Sequence, residues 1–162
     1  MKKQFLSILA GLALLLASAP AMATAEGIAA IVNDSIVTTS DVHNRVQLYL
    51  SGAPTAPTPE QIKQAEQQVL DRLINEALQM QEAKKLGVTI EEAEVNAGFA
   101  DIAQQNKIST DDFRKRLTGL GVHIDSLYDQ IRADLAWSQV VRRKLRAQVN
   151  ISESEIDLAM NQ

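Results

Sequence analysis

The chain has 162 residues, with 16 Lys+Arg against 20 Asp+Glu, no cysteine and 4% aromatic residues. The length suits one domain. A net charge of −4 is the wrong sign for a phosphate-binding surface, so nucleic acid is excluded as an expected partner, and the lack of thiols excludes disulfide exchange and thiolate catalysis.

The first residues read as an address. Lys2 and Lys3 precede an uncharged apolar run from Phe5 to Ala17, and Ala21-Met22-Ala23 then places small residues where a signal peptidase reads. The pattern predicts a leader over residues 1–23, cut after Ala23 with Ala25 as the alternative, and a mature domain over 24–162. The apolar run falls short of the ~20 residues a membrane span needs, so stable membrane insertion is not expected. Loss of Lys2 and Lys3 takes the basic count from 16 to 14 against 20 acidic residues, a mature net charge of −6. In an oxidising compartment a cysteine-free domain holds together by apolar packing alone.

Ile28 to Val32 and Ser35 to Thr38 are short β-prone runs around Asn33-Asp34, which predicts a hairpin with positive φ at its turn. A lone hairpin is marginal in water, so it is expected to lie on helices. Ser40 is the expected cap of a helix from Asp41 to Leu50. Three prolines and a glycine make Ser51 to Pro59 a loop. Thr58, Pro59 and Gln61 then form a capping box with proline at the first helical position, opening a helix that runs to about Leu86 and stops at Gly87. Its wide apolar stripe, from Val69 to Met80, predicts burial on more than one side.

Thr89-Ile90-Glu91-Glu92 reads as a second capping box, opening a helix to about Asn106 with Val95, Phe99 and Ile102 on one face. Ser109 to Asp112 caps a short helix carrying Phe113, Leu117 and Leu120, ended by Gly119 and Gly121. A long helix follows from Ile124 to Gln148, and Ser152 to Glu155 caps a last one. The expected fold class is mainly α: a small N-terminal β-hairpin on a bundle of five to six helices.

The inventory of reactive groups contains no reaction. Neither phosphate-binding glycine motif is present, which argues against nucleotide hydrolysis. His43 and His123 stand 80 positions apart, each without a second ligand at helical spacing, so no metal and no cofactor is expected. No serine sits in a nucleophile elbow, and no catalytic residue is assigned. The pairs Glu91-Glu92 and Asp111-Asp112 sit in first helical turns, where a carboxylate meets free N–H groups and the positive end of the dipole. Arg142, Arg143, Lys144 and Arg146 complement the other end of the long helix, with partner binding as a second reading. Trp137 lies off the main stripe of its helix, as a packing residue or a contact anchor.

The run Ile28-Ala29-Ala30-Ile31-Val32-Asn33-Asp34-Ser35-Ile36-Val37-Thr38-Thr39-Ser40-Asp41-Val42 is similar to the opening of the SurA family of periplasmic folding factors. Leu70-Asp71-Arg72-Leu73-Ile74, Leu86-Gly87-Val88, Ile102-Ala103-Gln104-Gln105-Asn106, Arg114-Lys115-Arg116-Leu117, Tyr128-Asp129-Gln130-Ile131-Arg132 and Val140-Val141-Arg142 resemble the family's later helices in order. The resemblance implies the N-terminal domain of an ATP-independent periplasmic chaperone that holds unfolded outer-membrane β-barrel proteins in an apolar crevice. It also implies that the family's parvulin modules and closing C-terminal helix would lie beyond Gln162, so no prolyl isomerase activity is expected of this stretch. Surface left uncovered by that helix predicts self-association into a homo-oligomer. The expected client-binding groove comprises Leu48, Leu50, Met80, Phe99, Leu117, Leu120 and Tyr128, each with ordinary core packing as its alternative. Two other readings are the front part of an isomerase and an adaptor for one folded periplasmic partner.

Overall fold

A computed structural model describes residues 26–148, with side chains through residue 145. The expected leader, its cleavage site at Ala21 and Ala23, and the helix expected after Ser152 lie outside the described residues. Strands β1 (Ile28–Val32) and β2 (Ser35–Thr38) pair antiparallel, with Ile31 opposite Ile36, Ala30 opposite Val37, and a register shift between Ile28 and Ala30. Val32 and Val37 face inward and are buried, while Ile28, Ile31 and Ile36 face outward and are exposed. In the turn only Asn33 takes positive φ, at 53°.

Among the described residues five helices follow: α1 (Thr39–Leu50), α2 (Pro59–Lys85), α3 (Glu92–Gln105), α4 (Thr110–Gly119) and α5 (Ile124–Gln148). The cap of α1 is Thr38 rather than Ser40. The chain passes from strand to helix without a linker, so Thr38 Oγ1 accepts from the Asp41 N–H at 3.1 Å and the Asp41 carboxylate accepts from the Thr38 N–H at 2.9 Å. The cap of α3 shifts likewise, from Thr89 to Glu91, whose N–H donates to the Glu94 carboxylate at 3.0 Å. Thr89 and Ile90 stay outside the helix, and Ile90 packs against two core clusters. Thr58 and Ser109 cap α2 and α4 as the sequence predicts.

Three helices end in the same way. The N–H groups of Val88, Ile108 and Val122 donate to the carbonyls of Ala83, Ala103 and Leu117, and those of Gly87, Lys107 and Gly121 to Lys84, Gln104 and Thr118. This double bond pattern requires a left-handed residue after the helix and delivers the next, apolar residue to the core. Gly87 and Gly121 supply that conformation, at φ 64° and 77°, but α3 uses Lys107, at φ 59°.

The main core gathers Val95, Phe99 and Ala103 of α3, Phe113 and Leu117 of α4, and Leu127 and Ile131 of α5, with Val122. Helices α3 and α5 approach so closely that a Cβ on Gly98 would lie 2.7 Å from Ile131 Cγ2. A second cluster joins Val46 to Ala65 and Val69, and a third joins Ala83 to Ala136 and Val140. Between α1 and α2 the buried Arg45 donates to Glu76 Oε1 at 2.7 Å, with side-chain exposures of 5% and 12%. Gln81 of α2 fastens the hairpin. Its Nε2 donates to the Val32 carbonyl at 2.7 Å and Ser35 Oγ at 3.0 Å, and its Oε1 accepts from Asn33 Nδ2 at 2.7 Å.

Candidate functional site

A groove of about 920 Å³ opens where α2, α5, the α2–α3 connection and the hairpin turn meet. Its apolar lining is Ala77 and Met80 of α2, Val88 and Ile90 of the connection, and Ala136 of α5. The small residues Ala83 and Ala136 are both 1% exposed and let the two long helices touch, so the groove is shallow and closed at its base. The Schellman turn at Gly87 swings Val88 and Ile90 across as one wall, and Gln81 holds Asp34 and Ser35 as another. Met80 remains 36% exposed at the surface.

The groove's charges divide unevenly. Arg132 is committed to Glu92 at 2.6 Å and Asp129 at 2.8 Å. Lys84 and Lys85 stand exposed on the α2 lip, and Asp34 on the hairpin side. Beside the lip, Lys144 reaches Glu82 at 2.8 Å, and this hydrogen bond and charge hold the Glu82 carboxyl below its ordinary range. Arg143 donates to the Leu86 carbonyl at 2.5 Å, fixing α5 to the end of α2.

The residues expected to form one groove are dispersed. Phe99 is 1% exposed and packs its ring 5.2 Å from both Phe113 and Tyr128, so it belongs to the core. Tyr128 is half-buried against the same cluster, its hydroxyl accepting from Arg114 at 2.5 Å. Leu48 and the buried Leu117 line a second, smaller cleft of about 370 Å³ among α1, α2, α3, α4 and α5. Leu50 borders a third beside Pro54 and Pro57, and Leu120 is exposed apart from all three. Met80 alone of the seven lines the large groove. His43 and His123, far apart in sequence, share a concavity with Glu66. Yet no group of three or more metal-ligating side chains occurs among the described residues.

Val88 and Ile90, in a connection, and Ala136, a small residue on α5, carry no periodic signal that marks a groove, and Ala77 reads only as part of the apolar stripe of α2. The one available cue was Leu86-Gly87-Val88, a helix stop followed by an apolar residue.

The described residues thus form a helical module with a buried core, a hairpin docked on its long helix and a groove on its flank. The SurA N-terminal domain profile matches residues 25–142. The chain is 33% identical over 144 residues to "Chaperone SurA" of Methylobacillus flagellatus, covering 87% of this chain and 32% of that protein. It is 33% identical to "Chaperone SurA" of Chromobacterium violaceum, covering 99% and 38%, and 34% identical to that of Photorhabdus laumondii, covering 83% and 31%. The chain belongs to the SurA N-terminal domain family, and it spans about a third of the length of these curated relatives.

Proposed function

We propose that this domain is an ATP-independent chaperone module of the periplasm, which binds unfolded outer-membrane β-barrel proteins through the Met80 groove. The observation that supports the reading is the groove itself, where Ala77, Met80, Val88, Ile90 and Ala136 form an apolar strip within a mixed lining beside a buried core. Its relatives' name, Chaperone SurA, supports the class of activity. Unfolded barrel strands alternate apolar and polar residues and leave their edges unpaired before insertion. A shallow groove removes their apolar side chains from water at ~25 cal/mol per Å² and releases them without a nucleotide cycle. Met80 is a flexible, polarizable side chain that adapts to different guests. The leader over residues 1–23 accounts for export, and the domain acts by binding rather than by prolyl isomerisation.

A photoreactive residue at position 80 tests the groove. It should crosslink to a urea-unfolded barrel protein and not to the same protein once folded. Crosslinking to a single folded periplasmic protein instead would favour the adaptor reading, and a proline-peptide isomerisation rate above background would favour the enzyme reading.

A further inference from the structure

We infer that the groove selects apolar segments flanked by carboxylates; the inference rests on the groove being the polypeptide-binding site. The domain is acidic overall, yet the groove's lining carries Lys84, Lys85 and Arg132 against the single acid Asp34. Arg132 is already paired twice. Lys84 forms no ion pair within 4.0 Å among the described residues, and Lys85 reaches Glu82 only at 3.9 Å with its own side chain 73% exposed. Glu82 is in any case taken by Lys144 at 2.8 Å.

Lys84 and Lys85 sit in the last turn of α2, where a cation suits the negative end of the helix dipole, but neither is needed to satisfy its carbonyls. Its last carbonyls already accept from the backbone N–H groups of Leu86, Gly87 and Val88. Two exposed ammonium groups thus stand on the lip of the groove, Lys84 without an ion pair among the described residues and Lys85 with one long contact to Glu82, and both are open to a further carboxylate. An extended guest that seats one apolar side chain against Met80 places its neighbouring residues at that lip. Asp or Glu there gains attraction, and Lys or Arg meets like charge.

Three labelled ten-residue peptides distinguish the possibilities, sharing one apolar centre and differing only in flanking Glu, Gln or Lys. Measured by fluorescence anisotropy on the full chain at low salt, the Glu-flanked peptide should bind about 10-fold tighter than the Lys-flanked one, with Gln between. The gap should shrink to about 2-fold near 1 M salt, where the screening length falls to ~3 Å. In Lys84→Glu/Lys85→Glu the order of the Glu and Lys peptides should reverse, with the circular dichroism melt retained. Equal affinities for all three peptides would overturn charge selection while leaving the groove as the binding site. Failure of all three to bind would overturn the groove reading itself.

Discussion

Replacing Glu76 with alanine isolates a buried charge. Arg45 and Glu76 meet at 2.7 Å with only 5% and 12% of their side chains exposed, and Arg45 Nε has no hydrogen-bond partner among the described residues. At ~4 Å between charge centres and an effective dielectric constant of ~20, the attraction is about 4 kcal/mol. In the native protein much of this offsets the desolvation of two ions. Without Glu76 the guanidinium keeps its desolvation penalty and loses its partner, a cost of about 3–5 kcal/mol. A domain of this size has a total stability of about 5–15 kcal/mol, so the loss is a large fraction. Urea unfolding followed by circular dichroism should show the midpoint falling by roughly 1–3 M. The double variant Arg45→Met/Glu76→Leu should recover to within about 1 kcal/mol of the wild type or exceed it, because the buried charge has gone. A loss below ~1 kcal/mol in Glu76→Ala would place the pair among exposed ion pairs and refute the reasoning.

Three further outcomes follow from the fold. Gln81→Ala removes three hydrogen bonds to the hairpin, so amide exchange in Ile28–Thr38 should accelerate relative to α3, with a global loss of about 1–3 kcal/mol. Lys107→Gly should stabilise the domain by roughly 0.5–1 kcal/mol in thermal or urea unfolding, because glycine accepts the left-handed end of α3 without a Cβ clash. Glu82 has its folded pKa lowered from 4.5, so its pairing with Lys144 stabilises the protein above that value and is lost as pH falls through the lowered one. The advantage of wild type over Lys144→Met in urea midpoint should therefore be present at neutral pH and disappear on acidification.

The elements were legible where local chemistry decides them. The capping box at Thr58, the cap at Ser109, the stops at Gly87 and Gly121 and the stripe of Val95, Phe99 and Ile102 each act over a few residues, and the structure bears them out. The caps of α1 and α3 were misplaced because Ser40 and Thr89 have the right chemistry, while the neighbouring backbone chose Thr38 and Glu91. Lys107 hid the end of α3, since nothing in a lysine announces positive φ. The site was the least legible part. Amphipathic periodicity picks out Phe99 and Leu117 as apolar but does not say whether an apolar residue faces the core or a trough. Only the meeting of α2, α5 and the Val88–Ile90 wall makes the groove.

The most direct measurement is light scattering from an unfolded outer-membrane barrel protein diluted out of urea beside the full chain, Met80→Asp and Leu120→Asp, each first shown to melt like the wild type. Wild type and Leu120→Asp should suppress aggregation, and Met80→Asp should lose most of that protection. Equal protection by Met80→Asp would contradict the groove as the place where the guest chain is held.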